Sequence, residues 1–263
     1  MKTLLIYNEV VPVTRKEHGS LALKKGTTFE FAKETNATPL VIAEFQRASQ
    51  DFPIVFTDAA EGTIPSAVLG LRNNENAFVG EDGTWQGSYI PAFIRRYPFV
   101  FSTDAQATTF TLMIDPSYEG FNTKDRGERL FDADGEHTGF LYQTLAFLKD
   151  YQSHFERTKA FGQKLVELDL LDPVEARVPL PNDPERRLTG FKVVNREKLK
   201  ALSGEALADL ARNDQLDLIY LHLFSLNNLT KLHGRLLDAE PADTGGDVLD
   251  DRPADVPELA EAE

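Results

Sequence analysis

Twice in this chain, 45 residues apart, an aromatic residue followed by proline ends a helical pattern and opens an apolar strand: DFPIVFTDA at 51–59 and RYPFVFSTDA at 96–105. Proline lacks the N–H a helix interior needs, and it pushes the residue before it towards extended backbone. A chain punctuated this way folds into short helices feeding short strands. Two copies do not make a solenoid. They read either as two related positions of one sheet or as two instances of a common helix-to-strand junction.

The remaining pattern extends that reading. Thr38-Pro39 is a helix-start signal, with Val41, Phe45, Ala48 and Phe52 at helical spacing until Pro53. Strands are expected at 54–56 and 67–71, and a hairpin-like pair within 77–85 turns at Asp82-Gly83. A helix after Ser88 runs through Phe93 and Arg96 to Pro98, before a strand at 99–101; 109–114 alternates as a half-buried strand. One or two helices fill 138–168. A hairpin joins 175–180 to 188–195 through PNDPERR, with Phe191 and Val193 on its core face. Asn195 and Ser203 cap short helices, and 217–237 forms one last apolar helix. Strands sit beside strands and helices beside helices, without regular βαβ alternation, so the fold class is α+β: a largely antiparallel sheet with flanking helices and a C-terminal helical segment.

The 41% hydrophobic residues, including 18 Phe and 7 Tyr, supply one substantial core, expected as a single domain over 1–237. Residues 238–263 hold ten acids, one arginine and no aromatics, the composition of a disordered tail. That tail carries most of the formal charge of −14 and leaves the body only mildly acidic. Neither part offers the basic stripe that nucleic-acid binding needs. No apolar run approaches the ~20 residues of a membrane-spanning helix, and the first residues lack the apolar stretch of a secretory signal. Zero cysteines remove disulfides, thiolate nucleophiles and zinc-thiolate sites, and they fit a reducing compartment. The expected address is the cytoplasm.

Local signatures of chemistry are absent. No two of His18, His137, His154, His222 and His233 stand three or four residues apart as a paired metal site requires, so no metal is expected. FDADGEH around His137 lacks the further ligands of a calcium loop and reads as a structural turn. Walker, dinucleotide-binding and nucleophile-elbow motifs do not occur, and no cofactor is expected. Two clusters stand out. In Tyr89-Ile90-Pro91-Ala92-Phe93-Ile94-Arg95-Arg96-Tyr97-Pro98, Arg95 and Arg96 could clamp an anion while Tyr89, Tyr97 and the nearby Trp85 hold an apolar body. The alternative is that the arginines stabilise a helix C-terminus. In Leu221-His222-Leu223-Phe224-Ser225-Leu226-Asn227-Asn228, helical spacing aligns His222, Ser225 and Asn228 as a polar stripe, lining a pocket or bonded within the core.

AEFQRASQDFPIVF, AVLGL, NAFV with Trp85, YIPAFIRRYPFVF, GFKVVNREKLKALSGEALADL and YLHLFSLNNL, in this order and spacing, resemble the SapC family of bacterial proteins over most of residues 5 to 236. The resemblance implies an accessory role linked to a surface-layer or outer-membrane uptake pathway, and it transfers no catalytic residue set. The expected function is therefore a non-catalytic binding or accessory protein with a protein or small-molecule partner. The alternative is an enzyme whose dispersed site acts on a small anionic or aromatic ligand.

Overall fold

The two prolines end their helices as their chemistry dictates. In the computed structural model, which describes residues 5–239 and 259–260 apart from 25, 27, 61, 104–109 and 182, helix α2 (Phe45–Asp51) stops before Pro53 and passes into strand β4 (Ile54–Ala59), which hairpins onto β5 (Gly62–Val68). Helix α3 (Ala92–Arg95) stops before Pro98 and passes into β6 (Phe99–Thr103), which hairpins onto β7 (Phe110–Ile114). The proline carbonyls play the same part in both: Pro53 O accepts from Val68 N at 2.9 Å and Pro98 O from Asp115 N at 3.0 Å, each closing the base of its hairpin.

The two units do not occupy one sheet. β4 and β5 lie inside a six-stranded sheet of order β12-β10-β11-β4-β5-β3, with β3 at Ala37–Pro39, β10 at Leu171–Arg177, β11 at Arg187–Val194 and β12 at Leu259–Ala260. β6 and β7 form a separate sheet with β1 (Val11–Pro12), and β2 (Ala22–Leu23) joins β8 (Phe121–Asn122) and β9 (Glu128–Arg129) in a third. Every pairing is antiparallel. With α1 (Arg15–His18) and the helices below, the class is α+β, as the sequence pattern indicates.

Several local expectations are corrected. Thr38-Pro39 does not start a helix: it pairs with β5 as β3, because a bare strand edge takes backbone partners ahead of a local hydroxyl cap. The helical path begins instead with a 3-10 turn at Ile42–Glu44, where the Glu44 carboxylate accepts from Val41 N at 2.9 Å. The strand expected at 67–71 is shifted N-terminally by its register with β4. Residues 77–85 form a single bridge, Val79 to Trp85, around the expected turn. The first strand of the β10 and β11 hairpin is shifted, starting four residues earlier and ending three earlier than expected; Phe191 packs on the core, but it is Val194 rather than Val193 that is buried there. The last apolar segment is two helices, α7 (Gln215–Ser225) and α8 (Asn228–Ala239), since Ser225 and Asn228 are drawn into hydrogen bonds with another part of the chain. Asn195 and Ser203 do cap α5 (Arg196–Ala201) and α6 (Gly204–Arg212). The expected disordered tail lies, beyond α8 and the two residues of β12, outside the described residues.

The expected helix of 138–168 is continuous: α4 (Gly139–Glu167) runs 29 residues, about 43 Å at 1.5 Å per residue, with the Thr138 hydroxyl accepting from Leu141 N. Its buried residues recur at Leu141, Leu148, Tyr151, Thr158, Phe161 and Leu165, one stripe at helical spacing. That stripe ties the molecule together. Leu141 and Leu148 enter the cluster with Ile114 and Leu130, Tyr151 the cluster with Tyr7 and Phe93, and Phe161 and Leu165 the main core with Phe45, Phe52 and Phe56.

Contact with β5 depends on Gly162, where a Cβ would stand 1.9 Å from the Thr63 carbonyl oxygen. Alanine favours a helix interior by up to about 1 kcal/mol over glycine, yet here it would force α4 off the sheet. Gly162→Ala is expected to lower stability by about 2 kcal/mol, since overpacking a fixed backbone costs more than propensity returns. The urea midpoint reads this directly, and an unchanged or raised midpoint would show that α4 can shift.

Candidate functional site

Helix α2 is the part around which the candidate residues are arranged. At its start, Glu44 is 4% exposed, and its carboxylate accepts from Ala92 N at 2.6 Å, Tyr89 Oη at 2.8 Å and Val41 N. Burial raises its pKa above the ordinary carboxylate range, against the pull of these bonds and of Arg95. At its end, the Asp51 carboxylate accepts from the Ser88 hydroxyl and from Tyr89 N, each at 2.8 Å. The aromatic-arginine segment is thus held to α2 by two carboxylates.

Within that segment the structure separates the two arginines. Arg95 donates through Nε to Ile90 O at 2.9 Å and through Nη2 to Tyr89 Oη at 3.2 Å, with its guanidinium over Phe147 and Tyr89. Arg96 turns towards other rings, 4.1 Å from the centroid of Phe93, 5.0 Å from Tyr151 and 5.7 Å from Tyr7. Phe147 and Tyr151 are one turn apart on α4, so the pair grips that helix by cation–π contacts. Trp85 donates from Nε1 to Tyr89 O at 2.8 Å and packs beside Phe78, Phe52 and Phe29. Tyr97 stacks on Phe31 at 4.0 Å and reaches the buried Asp115, which also accepts from Asn8 N and Ser117. Desolvation raises the Tyr89 hydroxyl to about 12 and also raises that of Tyr97, so both stay protonated donors.

The polar stripe lies elsewhere, against the junction of α2 and β4. His222 is fully buried; Val194 N–H donates to Nε2 at 3.0 Å, which leaves Nδ1–H to donate to Ile54 O at 2.8 Å. Desolvation holds its pKa down at about 4. Ser225 donates to His222 O at 2.6 Å and accepts from Ile54 N at 2.9 Å. Asn228 donates to Ser49 O at 2.7 Å and to Phe52 O at 3.2 Å. Ser49 O, Phe52 O and the N–H and C=O of Ile54 are the backbone groups around Pro53 at the passage from helix to sheet, and the stripe satisfies them while also capping Val194 N–H of β11. The cavities described below include neither this stripe nor the two arginines in their walls.

Tyr97 lines a recess of about 170 Å³ with Phe31 and Tyr118, and two other recesses lie against the C-terminal helices. One is a cleft of about 220 Å³ between the sheet and the start of α8. Antiparallel register sets Val55 and Thr57 of β4 on the face opposite Phe56, together with Phe191 and Val193 of β11 and Val68 of β5; Leu226, Leu229 and Thr230 form the far wall. Its polar lining is threonine and asparagine side chains with backbone, and no ionisable residue among the described ones lines it. The other is a larger open groove of about 1000 Å³ between α7 and the start of α2. The sequence alone singled out neither, though the continuous apolar run Ile54-Val55-Phe56 and the all-round apolar character of α7 were signals for both.

The FDADGEH segment is a turn in which Asp132 accepts from Asp134 N and Glu136 N, and no group of three metal-ligating side chains gathers among the described residues.

These features define an α+β protein on antiparallel sheets, with no helix among the described residues long and apolar enough to cross a membrane. The chain belongs to the SapC family, whose model, described as SapC, matches residues 13–232. No curated protein and no solved structure matches it.

Proposed function

We propose that the chain is a non-catalytic binding protein that seats a compact, uncharged apolar ligand in the cleft between the six-stranded sheet and α8. The observation that carries this reading is the lining: apolar side chains from the sheet and a helix, neutral polar groups and, among the described residues, no acid, base or nucleophile beyond threonine hydroxyls. At about 220 Å³ the cleft lies below the ~300–1,000 Å³ of drug-sized sites, which favours a small ligand or one segment of a longer one. In the surface-layer or outer-membrane uptake pathway that the family implies, this is an accessory role, and a chain with no cysteine suits the reducing cytoplasm. We assign Trp85, Tyr89, Arg95 and Arg96 to holding α3 against α2 and α4, Tyr97 to anchoring the start of β6 on Phe31 and Asp115, and His222, Ser225 and Asn228 to securing the junction of α2 and β4.

Titration with N-phenyl-1-naphthylamine, a neutral apolar fluorophore, tests the reading. Saturable enhancement at one site per chain is expected, with displacement by decanol and much weaker displacement by decanoate, whose carboxylate would be buried without a partner. Thr230→Trp, at an exposed position on the rim, should weaken binding by about tenfold or more, equivalent to 1.4 kcal/mol. Absence of saturable binding, or equal binding by Thr230→Trp with an unchanged circular dichroism spectrum, rejects the cleft as the seat.

A further inference from the structure

Helix α7, QLDLIYLHLFS, is apolar on nearly every side; Ile219, His222 and Ser225 are buried, and Leu216, Leu218, Leu221 and Leu223 pack against the core only in part. Its outer side leaves Phe224 69% and Tyr220 49% exposed, along the open groove walled opposite by Ile42. A helix with this composition is ordinarily covered all round. The groove also carries charges of both signs, Arg196 against Asp214 and Asp217, all exposed and without an ion-pair partner among the described residues.

We infer that this face binds a second copy of the chain across a two-fold axis. An isologous interface must be self-complementary, so one patch has to contain both knob and hole and both signs of charge. This one does. Phe224 and Tyr220 project, the groove beside them receives, and a two-fold rotation sets Arg196 of each copy against Asp214 and Asp217 of the other. A partner of a single charge sign would leave one of these groups facing a like charge or none. The groove shares Asn227 with the cleft behind α8, but Arg196, Asp217, Tyr220 and Phe224 do not line that cleft, so failure of the interface would leave the ligand-binding reading untouched.

Sedimentation equilibrium from low to high micromolar concentration tests it. The native chain should move from 29.4 kDa towards twice that mass. Phe224→Asp should remain monomeric with an unchanged circular dichroism spectrum, because that side chain is exposed; Tyr220→Asp is a second such variant. Arg196→Asp alone and Asp217→Arg alone should each weaken association about tenfold, and the double reversal should restore it. A native chain that stays monomeric throughout, or a dimer that both aromatic variants leave intact, overturns the inference, and a charge reversal that restores nothing overturns its two-fold geometry.

Discussion

Replacing His222 with leucine is expected to lower the stability of the chain by about 4 kcal/mol, the cost of stranding two buried backbone groups at ~1–3 kcal/mol each. Leucine restores apolar volume but neither hydrogen bond, so Val194 N–H and Ile54 C=O lose their only side-chain partner together. In a chain of this size that is a fall in Tm on the order of 10 °C. Glutamine, which keeps a donor and an acceptor, should recover part of the loss. A fall under about 2 °C for leucine would show that these backbone groups find other partners.

The same residue sets a pH dependence. The folded imidazole titrates near 4 and the unfolded one near its ordinary 6.5, so between these values the unfolded chain binds the extra proton. Stability contributed by the neutral ring is therefore complete above about pH 6.5 and is lost as pH falls towards 4, by on the order of 3 kcal/mol in all. The stability of the native chain minus that of the glutamine variant, from urea melts at each pH, should shrink across this window. A flat difference would place the imidazole in contact with water.

Glu44→Ala is expected to cost a similar amount, about 4 kcal/mol, because Val41 N, Ala92 N and the Tyr89 hydroxyl would all lose their acceptor. The loss should be local as well as global: amide exchange at Val41 and Ala92 should accelerate together, since one carboxylate ties the start of α2 to the start of α3. Glu44→Gln keeps the shape and one acceptor oxygen and should cost about half as much. Its pH trend runs opposite to that of His222. A carboxyl whose folded pKa is raised holds its proton in the fold after the unfolded chain has released it, so native stability relative to the glutamine variant should rise as pH falls through the folded value. Independent exchange at Val41 and Ala92 in the alanine variant would contradict the shared anchor.

Much of the secondary structure was legible along the chain, because its causes are local. Proline ended α2 where the sequence places it, and Asn195 and Ser203 supplied cap oxygens within three residues of the amides they accept from; the helix before Pro98 is only the turn Ala92–Arg95, and β7 forms as expected but its burial grows along the strand instead of alternating. The misplaced start of α2 has a non-local cause: Thr38 and Pro39 were claimed by the edge of β5, about 28 residues further on. The split of α7 from α8 likewise depends on backbone groups near Pro53, and the chain in between hides that pairing from any local pattern.

The aromatic-arginine segment and the polar stripe were both visible as clusters of unusual residues, and their partners were not. Helical spacing aligned His222, Ser225 and Asn228, but only the tertiary structure sets Ile54, Val194, Ser49 and Phe52 against them. Glu44 drew no notice, since a lone glutamate in a helical stretch is usually solvated; three donors from residues up to 48 positions away make it an anchor.

What the sequence determined by itself is the α+β class, the proline-terminated junctions, the absence of local catalytic signatures and the family, because each rests on neighbouring residues or on composition. The tertiary structure alone decided that the two junctions serve different sheets, that Arg95 and Arg96 point to different rings, and that one recess lies behind α8 and another along α7. The physical reason is that sheet register and helix docking are set by which distant backbone groups and apolar faces satisfy one another, a property of pairs of segments that no single segment carries.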